Sequence, residues 1–332
     1  MSAQAMARSI MKTDYSVSAD PRSPIGAASE TMANVEPGGS FRHLLEDPSL
    51  NWNVEKRNLY DSLGNKAGKT VGLYRQDTNQ FLGSAQESYE VLQNQKLLGL
   101  FQPLFDKGIL EFDCAGTFNK ESRIFVVGRS KSGMEPIKGD EQPTYHMLYA
   151  GHDGGTAFQS IPFSCRLMCT NMMRSLAVNA DIKFIHKKGI NSFVDTLQQM
   201  VLRSDESFSV INEKLKVLAE IGMAKPQDAF RQLLQLPTAA DRANYSSEED
   251  FEDALDKGKH KVRWMMQSYA DEAETTPPAA IDTHYHWLNS VTRHVTHDQG
   301  IKMGNSRFQR AIAGNGSTLV TKAMQQAFAV AA

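Results

Sequence analysis

The main change of period in the hydrophobic and polar positions falls near residue 190. Before it, short segments alternate apolar and polar residues every second position, the mark of strands with one face buried. Asn53 to Tyr60, Lys69 to Arg75 and Phe81 to Ser84 form a first group, separated by Gly64-Asn65 and by Asp77 to Asn79. Ile109 to Ala115, Arg123 to Arg129 and Thr144 to Gly151 form a second, followed by Ala157 to Ile161 and Phe163 to Cys169 around Pro162, and by Ile182 to His186. Between the groups, Val91, Leu92, Leu98, Phe101, Leu104 and Phe105 recur at threes and fours and predict one amphipathic helix over Glu87 to Lys107, ended by Gly108.

Past Gly189 the period is helical. Helices are predicted over Ser192 to Ile221, Pro226 to Leu236, Ser247 to Ala270, Thr283 to Asp298 and Ser317 to Ala329. The third opens on Ser246-x-x-Glu249, a capping-box pattern. A shorter helix is expected over Met172 to Ala180, capped by Asn171. Strands first and helices afterwards, without regular alternation, predict an α+β fold: a curved, mostly antiparallel sheet packed by a helix, then a helical C-terminal half. Three parts are expected: a disordered N-terminal arm over 1–40, rich in Ser, Ala, Pro and Gly, an α+β sheet domain over 41–190, and a helical region over 191–332.

Composition narrows the function classes only in places. Of 332 residues, 41% are hydrophobic, enough for a sizeable core, and the net charge is -2. That charge is uneven, with +2 over 41–190, -6 over 191–280 and +3 over 281–332, so anion-binding surface is expected on the strand-rich part and the C-terminus. Cys114, Cys165 and Cys169 all fall in strand segments and read as core thiols of a cytoplasmic protein in its host cell. No apolar run reaches membrane-spanning length and no signal-type core follows Met1, so no membrane partner is expected.

The stretch Gly151 to Met173 joins the two halves. Its GHDGG is a tight connection with His152 and Asp153 at the tip, and on the strand that follows Arg166 lies opposite the face of Phe163 and Cys165. The HDG turn, the R-x-x-C-x-N strand end and His186 are similar to the phage/plasmid-like protein family catalogued as domain of unknown function 932. Further matching pieces are Trp52 to Val54, Arg75 to Asp77 with Leu82-Gly83, Tyr89 with Gln93-Asn94, and the strand around Arg123. Trp287 to Thr292, His297, Arg307 and Gly314 extend the resemblance from about Phe41 to the end. It implies a protein of mobile elements and carries no established reaction.

Candidate chemistry is sparse. His152, Asp153, Asn171 and His186 form one candidate polar cluster, readable as an acid/base group or as turn and cap residues. No nucleophile elbow or phosphate loop accompanies it, so binding is favoured over catalysis and no cofactor is expected. His284, His286, His294 and His297 crowd one segment without a metal-ligand motif, and no metal site is assigned. Basic and aromatic residues interleave across the strands, among them Lys56, Arg57, Lys66, Lys69, Tyr60, Tyr74 and Phe81. That mixture tracks a phosphate backbone and stacks bases. Arg123, Arg166, Lys183, Lys187 and Lys188 are the expected nucleic-acid contacts. The leading expectation is therefore a phage- or plasmid-encoded protein of mobile-element DNA metabolism that binds single-stranded DNA, in the manner of single-strand annealing recombinases and as a possible homo-oligomer. The alternatives are a non-enzymatic phage protein engaging a host protein through the acidic helical segment, and an enzyme using His152, Asp153 and His186.

Overall fold

The computed structural model of the chain describes residues 31–32, 41–166, 172–174, 182–184, 193–298 and 315–331, with 31–32, 172–174 and 182–184 described by their backbone. The fold is α+β, with two antiparallel sheets and a helical C-terminal half. The short strand β1 (Thr31–Met32) and helix α1 (Phe41–Glu46) precede a three-stranded sheet of β2 (Val54–Tyr60), β3 (Lys66–Arg75) and β4 (Phe81–Gln86). The larger sheet is seven-stranded, in the order β1-β5-β6-β7-β8-β10 with β9 also on β8. Its strands are β5 (Leu110–Phe118), β6 (Arg123–Met134), β7 (Gln142–Gly151), β8 (Phe158–Cys165), β9 (Met172–Arg174) and β10 (Ile182–Phe184).

Both faces of the larger sheet are covered, which is why β7 is buried at every position rather than at alternate ones. Period two still sorts the residues. Ile124, Val126, Leu148 and Ala150 pack with Leu97, Leu98, Phe101 and Leu104 of helices α2 (Asn94–Gly99) and α3 (Gln102–Asp106). Phe125, Val127, Met147 and Tyr149 belong to a second core with the C-terminal helices. Those are α4 (Phe193–Glu220), α5 (Pro226–Leu233), α6 (Glu248–Glu272), α7 (His284–Arg293) and α8 (Asn315–Phe328). The core runs across the boundary expected at residue 190: secondary structure changes there, and packing does not.

Several expected elements are corrected. The single helix over Glu87 to Lys107 is two short ones. The Gln93 side chain accepts from Val54 N at 2.9 Å and donates to Val54 O at 2.9 Å, holding the chain extended until Asn94. Pro103, in the first turn of α3, has no N–H to continue a preceding helix. The expected apolar face is nevertheless buried, with Leu98, Phe101 and Leu104 at 0–1% exposure. The two strands expected around Pro162 are one. β10 pairs residues 158–160 and β9 pairs 163–165, so Pro162 falls at the break between them, where a missing N–H costs no ladder bond on that side. Met172–Arg174, expected to open a helix, is instead strand β9, because the chain turns back to pair with β8. α6 is capped by Ser247, one residue beyond the expected box, through a bond from Asp250 N to Ser247 Oγ of 3.1 Å. α7 passes at His294 into a turn of π-helix that ends at Asp298. The expected arm over 1–40 lies outside the described residues apart from β1.

Candidate nucleic-acid interface

The outer face of the small sheet is built by alternation in β2 and β3. Val54, Val71, Leu73 and Arg75 turn inward and are buried, whereas Arg57, Leu59 and Tyr74 turn outward. Arg57 stands opposite Gly72. A Cβ at Gly72 would lie 2.6 Å from the Tyr74 ring and 3.0 Å from Leu59, so only glycine leaves a bed for that ring. A register shift between Leu73 and Tyr74 brings Phe81 of β4 beside Tyr74, edge to face, with centroids 5.3 Å apart. The Arg57 guanidinium lies over the Tyr74 ring at 4.8 Å from its centroid. Phe81 is 53% exposed and Tyr60, at the end of β2, is 60% exposed. The result is an open aromatic face carrying a cation.

The charges around it are partly matched. Arg57 pairs with Glu55 and donates to Asn79 Oδ1 at 2.6 Å. Lys66 lies 3.6 Å from Glu87, and Lys56 Nζ donates to the carbonyls of Glu87 and Tyr89 at 2.9 Å each. Lys69 is exposed. Ring surface, more than uncompensated charge, is what this face presents.

The inner side of the small sheet is locked to the larger one. Arg75, buried to 8% exposure, lies over the Trp52 ring at 4.8 Å, forms a fork with Asp77 and reaches Glu121 at 2.7 Å. The GHDGG turn abuts β4. At Gly154, with φ +77°, a Cβ would sit 1.9 Å from Ser84 O, so glycine is required by conformation and by space. His152, at 0% exposure, bonds through Nε2 to Asn94 Oδ1 at 2.6 Å and stands edge-on to Trp52 at 5.5 Å. Asn94 donates its amide to Leu50 O, so its oxygen accepts and His152 carries its proton on Nε2.

Asp153 goes to different partners. It accepts from Arg123 Nε at 2.8 Å, from Thr156 N at 2.7 Å and Thr156 Oγ1 at 2.8 Å, and from Gly155 N at 3.0 Å. Burial pushes its carboxyl up, but the Arg123 and Thr156 bonds outweigh this and hold it below the usual carboxylate range. His152 and Asp153 thus act as dock and turn residues, and this geometry offers no acid/base pair. Asn171 and His186 lie outside the described residues.

Of the expected nucleic-acid contacts, Arg123 is 28% exposed and committed to Asp153 and the Tyr149 hydroxyl. Arg166 is not on a surface at all: at 1% exposure it meets Asp140, Glu272 and the Thr275 carbonyl. Expected opposite Phe163 and Cys165, it instead meets α6 and α7, the helices that share the core of those two residues, and a buried guanidinium needs buried carboxylates. Lys183 is described by its backbone, in β10, while Lys187 and Lys188 lie outside the described residues.

A polar group that sequence reasoning missed joins β7 to α4. Ser204 Oγ lies 3.1 Å from His146 Nε2, and Asp205 Oδ1 lies 3.9 Å from the same nitrogen. A catalytic relay requires the hydroxyl and the carboxylate on opposite ring nitrogens. Here both approach one, Ser204 spends its proton on Val201 O at 2.8 Å, and the group is a buried tie. Residues 146 and 204 carry no shared motif that could have announced it. Cys114 and Cys165 are buried, and Cys169 lies outside the described residues. Among the described residues, no group of three His, Cys, Asp or Glu could hold a metal ion, and no helix is long and apolar enough to cross a membrane.

None of the curated proteins and none of the solved structures matches the chain. The family model described as Domain of unknown function (DUF932) matches residues 81–319, which include Phe81, the GHDGG turn and Trp287 but leave β2 and β3 outside. By that match over most of its length, the chain belongs to the DUF932 family.

Proposed function

We propose that the protein binds single-stranded nucleic acid on the outer face of the three-stranded sheet, with strand annealing in phage or plasmid DNA metabolism as the activity it serves. The observation that carries this reading is the exposed Phe81 ring, held edge to face by a half-buried Tyr74 that lies under Arg57. Rings on an open sheet face stack bases of any sequence, and each stacked base contributes about 1–3 kcal/mol. The neutralised surroundings of Arg57 and Lys66 shift the expected balance from phosphate contacts to stacking. Salt dependence should accordingly be shallow, about one to two phosphate contacts' worth.

The test is fluorescence anisotropy with a labelled single-stranded DNA at two salt concentrations. Phe81→Ala should weaken binding about ten-fold or more, by the same stacking contribution, while melting as the wild type does. A folded Phe81→Ala variant with wild-type affinity would sink the proposal. A second reading, engagement of a host protein through the acidic helical segment, has Trp264 of α6 in its favour, a large ring left 63% exposed. A wild-type protein that folds and binds no oligonucleotide leaves that reading in place.

A further inference from the structure

Helix α6 carries its charges in two blocks. From Glu248 to Asp256 there are six acids and no base, and from Lys257 to Arg263 three lysines, an arginine and His260 with no acid among them. The helix macrodipole favours acids in the first turn. It does not explain the basic block, which stops short of the last turn, where Asp271 and Glu272 stand instead. Local pairs use only part of these charges: Lys257 bonds Asp253, Lys259 bonds Asp256, and Arg242 takes Glu248 and Glu252. Asp250 and Lys261, both exposed, have no ion-pair partner among the described residues.

Phe251, Gly258, Val262, Met265 and Tyr269 fix the buried side of α6. At about 100° per residue, the opposite side presents Asp250, Asp253, Lys257, Lys261 and Trp264, all exposed, in a stripe about 21 Å long. Trp264 is 63% exposed, a large ring at the basic end of that stripe. We propose that this stripe is the interface of a two-fold dimer, in which α6 of one copy lies antiparallel along α6 of the other. With the axis near Leu255, Lys261 meets the partner's Asp250, Lys257 meets the partner's Asp253, and Trp264 is covered by the partner's Ser246 and Ser247. The symmetry makes each contact twice. A partner of one charge, such as a nucleic acid, is drawn to one block and repelled by the other. A second copy turned end for end satisfies both.

Sedimentation equilibrium of the full chain, without nucleic acid, tests this. The wild type should be a dimer at low ionic strength and should dissociate as salt is raised, because its charge pairs lie at the surface. Lys261→Asp and Asp250→Lys should each weaken association about ten- to hundred-fold, since every reversal puts two like-charge pairs across the axis. An equimolar mixture of the two variants should associate as the wild type does, because each reversed side chain then faces its opposite. Trp264→Ala should weaken association about ten-fold or more, as for a ring at the centre of an interface, while melting as the wild type does. A wild type that is monomeric at low ionic strength overturns the proposal and leaves Trp264 to a different protein. A dimer untouched by both reversals, or a mixture no more associated than either variant alone, overturns it equally. If Asp250→Lys does not fold, Lys261→Asp and Trp264→Ala decide, and wild-type association in both overturns the proposal.

Discussion

Replacing Arg166 by Met should destabilise the protein by about 3–5 kcal/mol, the usual cost of breaking a buried ion pair by removing one partner. The geometry explains why the loss should be large. Arg166 Nε donates to both oxygens of Asp140, at 2.6 and 2.8 Å, Nη1 donates to Glu272, and Nη2 donates to Thr275 O at 2.8 Å. Asp140 and Glu272 are both at 0% exposure. Without the guanidinium, Asp140 keeps the Tyr285 hydroxyl at 2.5 Å and Glu272 keeps Arg293 at 3.9 Å, so two buried carboxylates face one distant cation. The cost should come from the stranded charges rather than from lost packing, since Met preserves most of the side-chain volume. Urea denaturation of Arg166→Met and of the triple variant Arg166→Met, Asp140→Asn, Glu272→Gln separates the two. The triple variant, with no charge left to strand, should recover most of the loss. At a temperature where the single variant is folded, its oligonucleotide affinity should equal the wild type's, because Arg166 has no surface to offer. A loss below about 1 kcal/mol, or a triple variant no better than the single one, would refute the reasoning.

Gly154→Ala should undock the small sheet. The left-handed conformation costs a residue with a Cβ about 1–2 kcal/mol before the 1.9 Å approach to Ser84 O is relieved, so proteolysis between β4 and α2 should quicken while the larger sheet stays protected. Asp153 has a folded pKa below its ordinary value of 3.8, so its ion pair stabilises the protein fully above that value and is lost as pH falls through the folded pKa. The stability gap between wild type and Asp153→Asn, measured by urea denaturation, should hold from about pH 7 to pH 5 and close on further acidification; parallel curves down to about pH 2 would show that the pair contributes nothing.

The fold class was legible because period two and period 3.6 occupy separate halves of the chain, and caps and glycines marked most boundaries. Where the reading failed, a long-range contact overrode a local pattern. The apolar spacing through Leu92, Leu98 and Phe101 is helical, yet the Gln93 bond to Val54, 39 residues away, keeps the first part extended. Alternation set Arg166 opposite Phe163 and Cys165, yet it lies one residue past the end of β8 and meets α6 and α7, the helices that share the core of Phe163 and Cys165. The period could not tell that Glu272 and Tyr285, more than a hundred residues later, would enclose its guanidinium. Tyr74 and Phe81 were visible as scattered aromatics. Their pairing depends on a register shift after Leu73 that no residue type announces.

The small sheet can hold its rings in solvent only because its other face is fully used. Its own core is five residues, Trp52, Val54, Leu73, Leu82 and Ala85, and three strands with so little apolar area are marginal by themselves. Arg75, His152 and the GHDGG turn supply the rest by fastening that core to β6 and β7. The HDG turn and the Arg123 strand, read in sequence as possible site residues, therefore act one layer beneath the candidate surface. Substitutions there should change strand binding through the docking of the sheet, moving melt and affinity together, whereas substitutions at Phe81 should move affinity alone.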